Sequence, residues 1–429
     1  MTMRQFPWKI FLVIQAVVLA AFGAAYAVST THSRDLVEQE LFGREPFKPV
    51  VIPRTQPLVV EPLYDRPDLV SDEELAAVLD RVLPRFHHRH TKPNFVEHAI
   101  RIWGVDAEFS DPQAMSGHDM EGFLTDHARY AASWGTEVEP LVVDRPNGLA
   151  IRWGRETGGS VHHDHWLASL TEAGVSIDTP VYGPARRGMH IGEVIQESLR
   201  DFRLDERETE WTAMAFGLWL PPTRAWVGSG GRQYSFDLLA RRLMRGQKEL
   251  GVCSGTHRVY SLMLLIRLDD EFNILSADTR AEAYAHLENV RDLIIASQWD
   301  DGRWPTNWPD GADASATHID EELYKQVIAT GHHLEWLAIA PPELHPPDEQ
   351  ILKAARWVID TTTSQTANEI LPRYTFYSHV GNALALWRKT HPTPFWREWR
   401  ASHPYEATPE NTVVWETDSP DEDDTSSSH

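Results

Sequence analysis

Histidines recur in this sequence near the start of apolar segments, each shortly after a small or hydroxyl-bearing residue. The positions are His118, His162, His257, His332 and His379, and Thr209 occupies the equivalent place between His162 and His257. Successive intervals of 44, 47, 48, 75 and 47 residues indicate a degenerate repeat, with the length of a helical hairpin and its connections. Neutral imidazole is the form that acts as a general base or ligates a metal. The recurrence therefore predicts one shared site.

We expect the imidazoles to line the mouth of one central cavity, because parallel helices that begin with His bring those side chains to one end. Helix N-termini there would lower the histidine pKa values. The candidate catalytic residues are His332, His379, His257 and His118. Their predicted neighbours, which would orient a ring nitrogen or donate a proton, are Glu335, Glu210 and Tyr377. The alternative is that each histidine caps its own helix and faces solvent.

A metal site is a second interpretation of the same residues. Cys253 and His257 lie four residues apart, on one face of a helix that begins early enough to include both, and His332 and His379 follow on neighbouring helices. Thiolate and imidazole are the ligands of tetrahedral zinc sites. The cofactor prediction is therefore zinc or none. His162, His163 and His165 offer a separate local cluster whose alternative is a polar loop.

Two kinds of apolar segment alternate along the chain. The segments that carry the recurring histidines are apolar all round, whereas 190–202, 236–247, 280–299 and 348–362 are apolar on one stripe only, as is 73–86. This alternation predicts an inner and an outer layer of helices. The predicted fold is all-α, an α/α toroid of about six helical hairpins. A Pro-Asn-Gly turn within 137–154 predicts an inserted β-hairpin where an outer helix is expected, and with it an incomplete ring.

The N-terminus predicts export. Residues 10–28 carry no charge and follow Arg4 and Lys9, and a helix of this length spans about one hydrocarbon thickness, roughly 28 Å. The basic flank predicts a single-pass membrane anchor with the body on the extracytoplasmic side. The alternative is a signal peptide cleaved after Ala27, which releases a secreted or periplasmic protein. The predicted organisation is an anchor or signal peptide (1–28), a Pro-rich linker (29–65), the toroid domain (66–405) and an acidic disordered tail (406–429).

The charge and the cysteine content limit the classes of partner that this protein can have. The formal net charge is −23, from 63 acidic and 40 basic side chains, and repulsion from such a surface excludes nucleic acid as the main partner. The sole cysteine, Cys253, allows no internal disulfide. The expected partners are the membrane, through the N-terminal helix, and a neutral carbohydrate ligand.

Several short motifs resemble those of known toroid families. Gln298, Asp301, Gly302 and Trp304 in ASQWDDGRW resemble the QW motif of the squalene cyclase and prenyltransferase toroids. That resemblance implies the fold and a stabilising role for Gln298 and Trp304. GVCSG is loosely similar to the Cys-x-Gly of lanthionine cyclases, which implies zinc.

A further resemblance concerns GHHLEW (331–336) and YSHVGNALAL (377–386), which are similar to motifs of the N-acylglucosamine 2-epimerase family. It implies that His332 and His379 move a proton at a sugar carbon while Glu335 orients one of them. Here Asn382 replaces the arginine that follows the second histidine in that family.

Three functions follow from these observations. The first is an exported enzyme that acts on a neutral carbohydrate and uses histidine acid/base chemistry in its cavity. The second is a non-catalytic toroid that serves as a binding or scaffold module at the membrane. The third is a zinc-dependent toroid enzyme.

Overall fold

The computed structural model describes residues 8–29, 33–34, 37, 41 and 47–404, except for positions 88, 147, 155, 229–230, 246–251 and 318–320. The described chain is mostly helical, as predicted, and the acidic tail predicted from residue 406 lies outside the described residues. The helices are α1 (Trp8–Val28), α2 (Asp72–Arg81), α3 (Pro93–Trp103), α4 (Gly117–Thr125), α5 (His127–Trp134), α6 (His165–Glu172), α7 (Ile191–Asp201), α8 (Glu210–Trp219), α9 (Phe236–Leu243), α10 (Thr256–Phe272), α11 (Ala277–Ser297), α12 (Ala312–Ala316), α13 (Leu323–Ile339), α14 (Asp348–Thr363), α15 (Ala367–Ile370), α16 (Tyr374–Trp387) and α17 (Pro392–Ser402). The strands are β1 (Val142–Arg145), β2 (Gly148–Ile151), β3 (Pro180–Val181), β4 (Met189–His190), β5 (Ala225–Val227) and β6 (Gln233–Ser235), which pair as three antiparallel hairpins.

Helix α1 stands apart from the rest of the chain. It is 21 residues long, none of its residues is buried, and its mean hydropathy reaches 2.2. By length and composition it can cross a membrane, which is also true of a signal sequence.

Six helices form the centre of the domain and are buried on nearly all sides. Each contacts the next in chain order and the last contacts the first, so that their contacts form a closed cycle. These central helices are α3, α6, α8, α10, α13 and α16.

The amphipathic segments form helices that pack outside the central ones. In α14 the buried residues recur at helical spacing, from Ile351 through Ala355 to Ile359, and this face packs on α13. Helices α9 and α11 pack on α10 in the same way, and α2 packs on α16. Gln298, at the end of α11, donates hydrogen bonds from Nε2 to the carbonyls of Gly302 (2.7 Å) and Gln350 (2.8 Å) and so ties α11 to α14.

The predicted hairpin forms at the expected place. β1 pairs antiparallel with β2, from Val142 opposite Ile151 to Arg145 opposite Gly148. Helix α7 packs against β2.

The first repeat is the place where the predicted helix assignment was wrong. Residues 117–134, expected to be an inner helix carrying His118, form the short helices α4 and α5, and α4 packs on the outside of α3. The inner position belongs to α3. Its residues 96–103 are all buried, whereas α4 and α5 each leave one side in water.

Residues 50–66, which we call the strap, cross one end of the central helices in extended conformation. The strap touches the C-terminal part of five central helices or the residues just beyond, in chain order. The backbone hydrogen bonds join Thr55 to Ile177 after α6, Leu58 to Leu218 of α8, Leu63 to Ala338 of α13 and Arg66 to Trp387 of α16, and Arg267 of α10 donates to the carbonyl of Glu61.

The strap has two consequences. Its amides satisfy carbonyls in the last turns of α8, α13 and α16, which have no partner within their own helices. Because one short segment reaches the C-terminal ends of α6, α8, α10, α13 and α16, these five helices run in the same direction, as the sequence analysis expected. Residues 50–65 of the predicted linker are thus part of the packed domain.

Tyr64 of the strap provides a test of this role. Its hydroxyl donates to the carbonyl of Ala340, at 2.7 Å, just beyond the end of α13. We expect Tyr64→Phe to lower the free energy of unfolding by about 1–2 kcal/mol, because the buried carbonyl loses its donor. Urea unfolding followed by circular dichroism measures this change. Tyr284→Phe, on the outer helix α11, is the matched control and should change stability by less than about 0.5 kcal/mol. Equal losses in the two variants would contradict a specific role for the strap hydrogen bond.

Candidate functional site

Each central helix contributes one aromatic side chain to a single buried cluster at the centre of the domain. We call this cluster the central aromatic ring. Its members are His98 of α3, His165 of α6, Trp211 of α8, His257 of α10, His332 of α13 and His379 of α16.

Neighbouring rings touch around the whole cluster. The centroid distances are 4.6 Å for His98–His165, 4.3 Å for His165–Trp211, 4.3 Å for Trp211–His257, 4.5 Å for His257–His332, 3.8 Å for His332–His379 and 5.3 Å for His379–His98. The histidines therefore pack against one another at the centre and do not line an open sugar-sized cavity between them.

The imidazoles of this cluster are neutral. Burial lowers the pKa of His332 to about 4 and places the pKa values of His98, His165, His257 and His379 well below the usual range. Neighbouring imidazoles and the Arg101 guanidinium lower these pKa values further. At neutral pH each histidine thus keeps one nitrogen lone pair.

His332 has its ring orientation set by its own helix. Its Nδ1 donates to the carbonyl of Ile328, one turn earlier, at 2.6 Å. This assigns the lone pair to Nε2, which faces Nε2 of His257 at 3.0 Å. Cys253 completes the group, since its sulfur and one nitrogen from each histidine all lie within 4.8 Å of one another. Cys253, His257 and His332 can hold a metal ion, as the sequence analysis expected for these three residues.

The cysteine sits on a strained turn before α10. Cys253 and Ser254 have φ values of 47° and 58°, and Gly255 follows at 79°. A non-glycine residue in this left-handed region costs roughly 1–3 kcal/mol. The turn is held by two hydrogen bonds, from Trp308 Nε1 to the carbonyl of Ser254 (3.0 Å) and from Thr256 Oγ1 to the carbonyl of Cys253 (2.7 Å).

A buried ionic network lies beside His379. Glu335 Oε2 is 2.9 Å from His379 Nδ1, and Glu335 Oε1 accepts from Asn382 at 2.6 Å and pairs with Arg101 at 3.1 Å. Arg101 also pairs with Glu172. Burial disfavours the charged guanidinium, yet the two carboxylates raise the pKa of Arg101 overall. The network thus orients His379, whose Nδ1 lies 2.9 Å from Glu335 Oε2 and 3.0 Å from Arg101 Nη1. Its Nε2 has no hydrogen-bond partner among the described residues.

Glu335 is the predicted neighbour that contacts a central histidine, whereas three other predicted site residues have different partners. His118 is on the surface, with its side chain 67% exposed beside Glu121, because α4 is an outer helix. The expectation that it faces the shared centre was wrong. Glu210 is buried against Arg258, at 3.6 Å, and the Tyr377 hydroxyl bonds to the side chain of Gln365.

Of the three predicted histidines that reach the centre, only His257 lies at the start of its helix, where it is the second residue of α10. His332 is the tenth residue of α13 and His379 the sixth of α16. The Thr-Gly before His332 does not break the helix. Gly331 instead allows close packing, since a Cβ there would lie 3.1 Å from Val380 of α16. Burial, and not a helix N-terminus, lowers the pKa of His332.

His162, His163 and His165 do not form one chelating cluster. His162 Nδ1 lies 2.5 Å from Glu208, His163 Nδ1 lies 3.1 Å from Glu206, and His165 joins the central aromatic ring. Each imidazole therefore has its own acidic partner, since His165 Nδ1 lies 2.5 Å from Glu97.

Sequence reasoning missed the contribution of α3, which is His98, Glu97 and Arg101. A signal was present: Pro93, followed by apolar residues at helical spacing up to Trp103, is typical of a helix start and of a helix with one buried face. No protein-family model, curated protein or solved structure matches this chain.

Glu97 generates a pH-dependent expectation. Burial raises the pKa of its carboxyl to about 8, compared with roughly 4.3 in an unfolded chain. Between these values the folded protein holds a proton that the unfolded chain releases. The Glu97 contribution to the free energy of unfolding therefore falls as pH rises, by up to about 1.4 kcal/mol per pH unit.

We expect Glu97→Gln to flatten this decline between about pH 5 and pH 8, as measured by urea unfolding at successive pH values. The amide retains a donor for His165 Nδ1. Glu108→Gln, at an exposed position, should keep the wild-type slope. A wild-type slope in Glu97→Gln would show that Glu97 is ionised in the folded state.

Proposed function

We propose that this protein binds one divalent transition-metal ion, zinc first, at Cys253, His257 and His332. The observation that carries the proposal is the approach of one sulfur and two imidazole nitrogens to within 4.8 Å of one another in the buried centre of the domain. These ligand types are the ones that zinc prefers.

The details of the two histidines support this assignment. A tetrahedral zinc ion with nitrogen ligands at about 2.0–2.1 Å separates them by roughly 3.3 Å, close to the 3.0 Å between the two Nε2 atoms. His332 donates from its other nitrogen to a backbone carbonyl, which is the usual outer contact of a metal-bound histidine. Both imidazoles are neutral, the form that ligates.

Three protein ligands leave one tetrahedral position for a water molecule or a substrate, as in catalytic zinc sites. Cys253 is only partly buried, so the proposed site is approached from the turn that carries it. A bound metal ion would supply an activated water or polarise a carbonyl. The ring centroid of His379 lies 3.8 Å from that of His332. With its Nδ1–H donated to Glu335, His379 keeps a lone pair on Nε2 that can accept a proton or act as a fourth ligand.

We also propose that the helical domain is an α/α toroid of the superfamily that its QW-like motif resembles. The closed cycle of six central helices supports this, as does the common direction that the strap indicates for five of them. The contacts of Gln298 with the next outer helix agree with the stabilising role that the motif implies.

A second candidate is acid/base chemistry on a neutral carbohydrate by His332 and His379. The Glu335–His379 contact and the unbonded Nε2 of His379 favour it. The 3.8 Å between the two ring centroids opposes it, because a sugar ring must fit between an acid and a base that act on its carbon. If the protein binds neither a metal nor a substrate here, the remaining candidate is the non-catalytic scaffold function.

Zinc binding tests the first proposal. We expect dialysed full-length protein to retain about one zinc per chain, measured by mass spectrometry of the metal. Cys253→Ser, His257→Gln and His332→Gln should each weaken binding by at least about 100-fold, since even outer contacts of a metal ligand contribute about 10–100-fold. With cobalt(II), the thiolate-to-metal charge-transfer band should disappear in Cys253→Ser.

His118→Gln is the control, because His118 is exposed, and it should bind zinc as the wild type does. His379→Gln separates the two candidates: weaker zinc binding makes His379 a ligand, whereas unchanged binding with lost activity makes it a proton acceptor. Wild-type protein that binds no zinc, or a Cys253→Ser variant that binds it equally well, would refute the metal site.

We further propose that α1 anchors the protein with its body outside the cytoplasm. The full-length chain should then stay in the membrane fraction after an alkaline wash, and a variant lacking residues 1–28 should be soluble. The alternative, a cleaved signal peptide, would yield a mature N-terminus at Val28 by mass spectrometry.

A further inference from the structure

A polar pocket lies outside the central aromatic ring, between the β1–β2 hairpin, α7 and the loop before α6. Its volume is about 80 Å³, enough for several water-sized groups. Its polar lining residues are Arg145, His162, His163, Asp164, Glu197, Ser198 and Asp201.

The pocket contains a buried acceptor that the protein does not use. Glu197 is 2% exposed, and its Oε2 pairs with Arg200. Its Oε1 has no hydrogen-bond partner among the described residues. A buried carboxylate oxygen without a donor is costly, so this atom indicates a ligand hydroxyl or amide, or a water molecule, in the pocket.

Several charged groups of the pocket are paired within the protein. Asp164 lies 3.4 Å from His163 and accepts from Ser198 (2.8 Å) and Thr212 (2.6 Å). Glu197 is paired with Arg200. Of the remaining lining groups, Arg145 and Asp201 carry opposite charges. The pocket therefore carries both signs of charge, and it offers donors and acceptors side by side.

An exposed tryptophan borders the pocket. Trp153 lies in the lining, is 55% exposed, and contacts the His163 ring edge-on at 5.4 Å. By contrast, Trp304 and Trp308 are fully buried. An exposed aromatic face at the edge of a pocket can stack on a ligand that the pocket holds. The C–H face of a sugar ring can stack in this way, since it is apolar while the ring edge carries hydroxyls.

We propose that this pocket binds one neutral sugar residue, with its face on Trp153 and a hydroxyl donated to Glu197 Oε1. A hydroxyl is both donor and acceptor, which suits a lining that carries both signs of charge. This site does not depend on the proposed metal. It lies near it, however: His162 stacks on Trp211 (6.0 Å), and Trp211 contacts His257 (4.3 Å).

Saturation-transfer NMR on the full-length protein tests the proposal, with glucose, galactose, mannose and N-acetylglucosamine as probes in the millimolar range. The detergent must be free of sugar headgroups, and EDTA keeps the measurement independent of metal. We expect saturable binding of at least one probe. Trp153→Ala should weaken it roughly tenfold, which corresponds to about 1.4 kcal/mol of stacking.

Glu197→Gln tests the acceptor and should also weaken binding, whereas Trp399→Ala, at a tryptophan of α17 outside the pocket, is the matched control and should bind as the wild type. Trp153 is exposed, so its variant should fold normally even if Glu197→Gln does not. Failure of all four probes to bind the folded wild type would overturn the proposal. Equal binding by Trp153→Ala would overturn it as well.

Discussion

The centre of this protein is governed by the cost of placing polar side chains on a shared, water-poor axis. Six central helices meet there, and five of them contribute an imidazole. A charged imidazole in such surroundings would be expensive, so burial keeps the rings neutral. Arg101, a buried cation beside them, is held by two carboxylates. Packing thereby produces what metal binding and proton transfer require, which is neutral nitrogens held in fixed orientations.

The two ends of the central helices differ. The C-terminal ends are crossed by the strap, whose amides occupy carbonyls that a substrate or solvent would otherwise meet. The opposite end carries the turn with Cys253, which is partly exposed. Access to the candidate metal site therefore comes from the N-terminal side of α10. Since the strap follows α1 in the chain, the closed end is also the one that is tied to the N-terminal helix.

Strain and aromatic packing are coupled at the cysteine. Cys253 and Ser254, two consecutive non-glycine residues, adopt left-handed conformations, and the indole of Trp308 donates to the carbonyl of Ser254. Trp308 also packs edge-on against His333, at 4.8 Å. Residues 299–308, which lie in the 75-residue interval between His257 and His332 and carry three tryptophans, thus support the turn that presents the sulfur. Trp304 and Trp308 are fully buried and contribute to structure, whereas we propose that the exposed Trp153 contacts a ligand.

The amino-acid pattern alone predicted the outer helices and the hairpin at 142–151, and it also predicted the association of Cys253, His257 and His332. The helices and the hairpin depend on apolar periodicity and turn residues, which are local properties. The association of the three residues was inferred from the order of the helices along the chain. Tertiary structure decided the rest. Whether a histidine reaches the axis depends on the rotation of its helix against its neighbours, which is why His98 lies at the centre and His118 in water. The strap was predicted to be a linker because its partners are backbone carbonyls of distant helices. Every residue has such a carbonyl, so the side-chain sequence gives no sign of these contacts.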